Sequence, residues 1–573
     1  MTQWEGILNR HANLPDLWGE GAIFAFSGLD GETNAASGFV GTYGREPYQV
    51  LLHTPRRRIL EVRPVAPGRA RVATGDVVAV EVPGGLLVQA WAAWHTLIGM
   101  APEGTALALR MEDGPAAEWQ DDAAVSADAE HGEALALARA GERFALAYGT
   151  TAEQALGRAR AGLAADLAAT VEARLAFYGR TPSLADPWLG RLLNKCWSVI
   201  KVNALSPEGV IRQRWSTPDR VPHRDMWLWD SVFHTLAVNR LDPQLAWEYL
   251  KSVLDGQGED GMIAHQHRVN GWRSRITQPP LLGWGVWENY GYLRSKEALE
   301  YALPRLERYL EWDLAHRDAD GNGLVEWLRE GDTRCRSGES GLDNSPRFDN
   351  GLPADDVDFS TFLAEDMRYT GLIARELGDE ARGQAWLRRA AETSAKVHAL
   401  LWDERAGFYC DRYLSGGHSP VRAVSGFMPL LLADIPAPHV DGLLRALRDP
   451  AQFGTAFPIP TVAVSDPSWS TDMWRGATWA NMNYLAIRGL RQQGQLGAAR
   501  ELAQRTVEHV GKYYERFGAI FEFFDAKDQL PPTQCDRKGP HQEPYNIRRK
   551  MDSIRDYQWT AAVTAALLLE GAG

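Results

Sequence analysis

Cysteine is scarce in this chain, cations are outnumbered by anions, and no apolar run is long. The 573 residues include four cysteines, Cys196, Cys335, Cys410 and Cys535, far apart in sequence and without a CxxC pair. A zinc ribbon or dithiol redox motif is therefore unsupported, and the density is too low for a disulfide framework. The formal net charge of -13 speaks against nucleic acid and anionic membrane as partners, since both select basic surfaces. No stretch is apolar for long enough to span a bilayer. The N-terminal Met1-Thr2-Gln3-Trp4-Glu5-Gly6 lacks the basic segment and apolar run of a secretory signal. A cytoplasmic location is expected. No short fixed-period repeat of solenoid type is visible, and oligomeric state is left open.

Hydrophobic residues make up 45% and charged residues 24%, an ordinary globular balance. The length predicts two domains. From about residue 20 to 150 the apolar residues alternate: Val78, Val80 and Val82; Leu107, Leu109 and Met111; Phe144, Leu146 and Tyr148. Period two, punctuated by Pro67-Gly68 and Pro83-Gly84-Gly85, predicts an antiparallel β-sandwich over 1–150. An Ala/Leu/Arg/Glu stretch over 152–178, broken by Gly179 and Pro182, predicts a helical linker spanning 151–184. From 185 to 573 the spacing turns helical, as in Leu387, Ala390, Ala391, Val397, Leu401 and in Ala499, Leu502, Ala503, Val507, Val510. Trp-, Gly- and Pro-rich loops separate these helices and carry nearly all the polar-aromatic clusters. A toroid of about twelve helices, its loops building one face, fits that length.

Five clusters have the residue types that a sugar site needs. In Trp227-Leu228-Trp229-Asp230-Ser231-Val232-Phe233-His234, a helix places Asp230 and His234 on one face. Gln278-Pro279-Pro280 fixes a side chain that both donates and accepts on a stiff backbone, with Trp284 close behind it. Glu339-Ser340-Gly341-Leu342-Asp343-Asn344-Ser345-Pro346-Arg347-Phe348-Asp349 holds two candidate acids, Asp343 and Asp349, with Asn344 and Arg347 as hydroxyl partners. Trp474, Arg475 and Trp479 form a fourth cluster, and Phe521-Glu522-Phe523-Phe524 sets a carboxylate in an aromatic run read as a strand. Plainer readings stand beside each: core tryptophans, an Asx turn with Asp343 as a helix cap, an edge strand with Glu522 in water. His265-Gln266-His267 has no carboxylate or Cys at ligand spacing, so a strand or loop pair is preferred to a transition-metal site.

Asp318, Asp320, Asn322 and Glu326 imitate the start of a calcium loop. Arg329 stands where an EF-hand has its bidentate Glu, so this is no EF-hand. A structural calcium with a further ligand from elsewhere and a plain Asx/Gly turn both remain open.

Taken in order, Trp-Asp-Ser with a following His (229–234), Gln-Pro-Pro (278–280), Gly-Leu-Asp-Asn-Ser-Pro-Arg (341–347), Arg-Gly-x-x-Trp (475–479) and Phe-Glu-Phe-Phe (521–524) resemble glycoside hydrolase family 63. The resemblance covers about residues 185–570. It implies an (α/α)6 barrel and an inverting, exo-acting α-glycosidase that needs no cofactor for catalysis. It also implies Asp343 as general acid and Glu522 as general base. Trp229, Asp230, Gln278, Trp474, Arg475 and Trp479 would line the terminal-sugar subsite, and the 318–326 loop would be a calcium site. Members act on α-glucosides, on mannosyl- or glucosylglycerate and on glucosylated N-glycans; a terminal α-glucosyl unit is the first expectation and a glycerate glycoside the alternative. Trehalase fingerprints are absent.

Inversion needs two carboxyls roughly 6.5–9.5 Å apart, with a water between the base and the anomeric carbon. A carbohydrate-binding protein on the same barrel would not need both carboxylates. A phosphorylase would use phosphate in place of Glu522, and a lyase would need a Tyr/His/Arg cluster that is not evident.

Overall fold

The structure, a computed structural model, describes residues 3–571 apart from 47, 57–58, 65–67, 103–106, 112–113, 544 and 546–550. Pro67 of the expected Pro67-Gly68 turn lies outside the described residues. The chain forms two compact units. The first comprises Met1–Asp225, Gly511–Ile520 and Arg555–Ala561; the second comprises Met226–Val510, Phe521–Ile554 and Ala562–Gly573.

In the first unit the period-two segments pair into two antiparallel sheets. The five-stranded sheet runs Ile23–Phe24, Val40–Tyr43, Val50–His53, Ile59–Pro64, Leu107–Met111. The eight-stranded sheet runs Glu118–Gln120, Ala123–Asp128, Glu133–Ala140, Arg143–Gly149, Thr96–Met100, Gly85–Ala93, Val77–Val82, Arg69–Ala73. Trp91 fills the space between the sheets against Phe24 and Phe39, with ring centroids 5.9 and 5.8 Å away. Pro83-Gly84 closes a hairpin whose last pair is Val82 with Gly85. Gly84 has φ +94°, which the second central position of a type II turn requires.

The single helix expected over 152–178 is two, Ala152–Ala164 and Leu167–Leu175. Ala165 is extended (ψ 143°), and Asp166 caps the second helix by accepting from the Ala169 N–H. The first of them packs on the sheet, with Ala155, Leu156 and Ala159 against Ala123, Ala134, Ala136, Ala138 and Ala147. Small residues on both faces permit that close approach. Deeper in the unit, the helix Pro187–Val202 contributes Lys195, whose ammonium sits 2.8 Å from buried Asp556.

The second unit is helical, and its helices fall into two kinds. Leu228–Val238 is buried at every position, Val357–Glu376 over most of its length, and Ala480–Gln492 from Ala480 to Ile487. Pro243–Asp255, Lys296–Arg317, Glu380–Leu400 and Ala437–Arg448 bury one face only. Helices apolar all round belong inside and amphipathic ones outside, so the alternation in sequence is the alternation of an inner and an outer ring. The fold is that of an (α/α)6 barrel. One inner member, Val424–Leu431, is a 3-10 helix interrupted by Pro429, which lacks the N–H an α-helix needs. In Glu380–Leu400 the buried stripe is Gly383, Trp386, Ala390, Thr393, Ser394 and Val397, while Ala391, one step round the helix, is exposed.

Helix starts follow their sequence signals: Asp242 before Pro243, Ser295 and Asp379 each accept an N–H of the first turn. Leu282–Leu293 has no such cap of its own; Asp366 from a neighbouring helix accepts the N–H groups of Gly283 and Trp284 at 2.8 and 3.0 Å. Burial pushes the Asp366 carboxyl up to about 8, against the pull of those N–H groups. Among the described residues, no helix is long and apolar enough to cross a membrane.

Candidate active site

Segment 339–349 is held at both ends. Glu339, fully buried, accepts from Arg317 Nε and Nη2 at 2.8 and 2.7 Å and from the Thr277 and Leu328 N–H groups. Gly341 has φ +72°, and a Cβ there would lie 2.4 Å from the Trp229 ring, so glycine serves both the turn and the contact. Pro346–Phe348 then makes one turn of 3-10 helix. Asp343, between these anchors, does not cap a helix: its Oδ2 lies 2.6 Å from Lys538 Nζ.

Glu522 lies in an extended stretch rather than a strand. Phe524 exchanges backbone hydrogen bonds with Thr478 at 2.8 and 3.0 Å, and the Phe523 N–H donates to Ser553 Oγ. The solvated edge strand is excluded, because Glu522 is only 2% exposed. Its carboxylate accepts from Arg537 Nε at 2.8 Å and Nη2 at 3.3 Å, a fork that meets the need of a buried charge for a partner.

The two candidate carboxylates are thus held by consecutive residues, Arg537 and Lys538, whose Cα atoms are about 3.8 Å apart across one peptide. Lys538 has φ +54° and donates its N–H to Asp472 Oδ1 at 2.7 Å. Burial lowers the Lys538 ammonium, but Asp343 and then Cys335 outweigh it, and the net direction is upward. Asp472 also accepts from Asn344 Nδ2 at 3.1 Å, and Asn344 Oδ1 accepts the Trp474 N–H at 3.1 Å. Burial raises the Asp472 carboxyl.

An aromatic row joins the two segments. Trp229, against Gly341, is 6.4 Å from Trp474; Trp474 stacks on Trp479 at 3.7 Å and 5°; Trp479 stacks on Phe523 at 4.9 Å, next to Glu522. Gln278 Oε1 accepts the Trp229 N–H at 3.2 Å, fixing the first ring's backbone. Arg475 forms a fork on Asp349 at 2.9 and 2.7 Å and donates to the Asn344 carbonyl, so Asp349 is paired at the surface while Asp343 faces inward to Lys538. Asp230 is buried on the helix that starts at Leu228.

Four expected sugar contacts are differently engaged. Arg347 is completely buried and donates to Asp358, Asp411 and Asp356 at 2.7–3.2 Å, a structural node rather than a hydroxyl partner. Both ends of the Asn344 amide are occupied within the protein, as above, so it ties the acid loop to the Trp474 loop. Trp284 is in the helix wall, with the Arg488 guanidinium 4.5 Å from its ring centre. His234 is fully buried, and burial pushes its imidazole down to about 3, so it is neutral.

Sequence reasoning missed Arg537, Lys538 and Asp472, while His265 and His267 are in the strand or loop pair expected of them. The only signal for the first two is a dibasic pair in a loop following the second carboxylate. His265 sits in a two-strand ladder region where Met226–Trp227 pairs with Gln266–His267, its ring 5.0 Å from Trp227 and Nδ1 2.5 Å from Ser274 Oγ. Burial pushes it down to about 4, with the charge of Asp343 opposing.

The acidic loop brings Asp318, Asp320 and Glu326 together, one oxygen of each within 4.8 Å of the others. Asp318 Oδ1 and Glu326 Oε1 are buried without a hydrogen-bond partner among the described residues. Burial, reinforced by Asp355, Asp318 and Asp320, pushes Glu326 up to about 8. Such a donor set fits a hard cation. Asn322 differs from expectation: its Oδ1 accepts the Leu324 N–H at 2.7 Å, and its Nδ2 donates to Asp320 and Asp355.

A double ring of helices whose loops gather two carboxylates and a row of tryptophans defines the class, a glycoside hydrolase. Residues 222–560 match the mannosylglycerate hydrolase MGH1-like glycoside hydrolase domain, and the chain belongs to that family, within glycoside hydrolase family 63. It is 27% identical over 238 residues to an uncharacterized protein of Borreliella burgdorferi, covering 41% of this chain and 46% of that one. It is 26% identical over 377 residues to the mannosylglycerate hydrolase of Thermus thermophilus, covering 50% of this chain and 88% of that one. The crystal structure of a family 63 mannosylglycerate hydrolase from Thermus thermophilus in complex with glucose superposes with a TM-score of 0.53 at 24% identity, over 65% of this chain and 99% of that one. At that identity the likeness concerns the fold.

Proposed function

We propose that this chain hydrolyses a terminal α-linked hexosyl unit with inversion, Asp343 acting as general acid and Glu522 as general base. The observation that carries the reading is the gathering of both carboxylates by Arg537 and Lys538 at the ends of the Trp229–Trp474–Trp479–Phe523 row. Aromatic faces pack against sugar C–H groups while the carboxylates act on the glycosidic bond. Asp343 gives its proton to the glycosidic oxygen as the C1–O bond breaks. A water attacks C1 from the opposite face and passes its proton to Glu522. The mechanism requires the carboxyls roughly 6.5–9.5 Å apart.

Between an α-glucosyl oligosaccharide and a hexosyl glycerate, the family assignment and the Thermus thermophilus relative favour the glycerate. Asp318, Asp320 and Glu326 would hold a structural Ca2+ whose charge satisfies the two orphaned buried oxygens; catalysis does not pass through it. Four free cysteines fit a cytoplasmic enzyme.

The test is a panel of α-glucosyl and α-mannosyl glycerates, glycerols and disaccharides, run with the native chain, Asp343→Asn and Glu522→Gln. Turnover of an α-hexoside by the native chain, lowered about 10²–10⁴-fold in each variant, is expected. Full turnover in either variant contradicts the assignment.

A further inference from the structure

Nothing in acid–base hydrolysis calls for an ammonium against the general acid. Lys538 Nζ lies 2.6 Å from Asp343 Oδ2, and a carboxylate engaged in an ion pair has no proton to give. The contact is built rather than casual. Lys538 sits in a left-handed turn, its N–H is fixed by Asp472, and Arg537 before it is fixed by Glu522. Titratable groups beside Asp343 include His265, kept neutral by burial, and Cys335, whose thiol burial pushes up. Among the described residues, the cation in an ion pair with Asp343 is Lys538. Nearby in the chain, Arg336 donates its N–H to the Asp343 carbonyl, and its buried Nε has no hydrogen-bond partner among the described residues.

We propose that Lys538 is a specificity-determining residue, which holds Asp343 in an ion pair until a carboxylate on the leaving group draws the ammonium away. The general acid lies on the leaving-group side of the scissile bond, so a cation paired with it faces that part of the substrate. An anionic leaving group offers Lys538 a replacement partner. Asp343, released, takes a proton from solvent and delivers it to the glycosidic oxygen; the C1–O electron pair stays on that oxygen, and the water's proton goes to Glu522. A neutral leaving group of the same size has no means of breaking the Lys538–Asp343 pair. This inference rests on the assignment of Asp343 as the acid.

The experiment compares kcat/KM on two substrates that differ by one carboxylate, an α-hexosyl glycerate and the corresponding α-hexosyl glycerol. The native chain, Lys538→Met, Lys538→Gln, Lys538→Arg and Asp343→Asn are measured, with thermal unfolding of each. The native chain should prefer the glycerate at least tenfold. Lys538→Met and Lys538→Gln should lower that preference at least tenfold, and Lys538→Arg should keep it. The proposal is overturned if the native chain shows no preference or cleaves neither substrate, or if the neutral variants lower both activities together. Asp343→Asn separates the two claims. Turnover retained in it removes the acid assignment, whereas an inactive Asp343→Asn beside an unchanged ratio in Lys538→Met removes only the role of Lys538.

Discussion

Arg537 grips Glu522 through Nε at 2.8 Å and Nη2 at 3.3 Å, and the carboxylate so held is almost completely buried. A buried charge is tolerated because its partner is there. Removing the partner alone leaves an uncompensated carboxylate in a low-dielectric setting. Arg537→Met should therefore cost about 3 kcal/mol or more in urea unfolding. The double variant Arg537→Met/Glu522→Gln should recover much of that loss. Equal losses in the single and double variants would show that Glu522 does not depend on Arg537.

Gly341 makes a sharper claim, because two independent constraints meet at one residue. Its φ of +72° disfavours any side chain, and a Cβ would lie 2.4 Å from Trp229. Left-handed backbone alone costs an L-residue about 1–2 kcal/mol. Gly341→Ala should lower kcat/KM more than tenfold, because Trp229 and the acid loop must part. A variant with native activity and stability would mean that the loop and the tryptophan are not in contact.

The acidic loop gives a prediction that does not involve turnover. Calcium should raise the unfolding temperature of the native chain, and a chelator should lower it. Ligand at 100 times its Kd stabilises by about 2.7 kcal/mol. Glu326→Gln should remove most of the calcium response. A response that survives in this variant would place the ion elsewhere.

The architecture was legible in the sequence because its signals are periodic. Val78, Val80 and Val82 alternate and form a strand; Ala499, Leu502, Ala503, Val507 and Val510 share a face and are buried. The break at Ala165 was not legible, since the stretch contains no Pro and its one cap signal is a lone Asp166 inside an otherwise continuous helical composition. At the site, the motifs named Asp343 and Glu522, but not which neighbours engage them. Arg347 reads as a sugar contact until Asp356, Asp358 and Asp411, the last of them 64 residues away in sequence, surround its guanidinium. Lys538 and Arg537 show locally only as a dibasic pair. Their meaning is tertiary, set by a turn that brings them to carboxylates 195 and 15 residues earlier.

The assignment of Asp343 and Glu522 to a single displacement is tested most directly by following the anomeric proton of the released hexose by NMR in the first minutes of hydrolysis. From an α-glycoside, inversion delivers the β-hexose first, with the α-anomer growing in only as the sugar mutarotates. Release of the α-hexose at the outset would contradict the account.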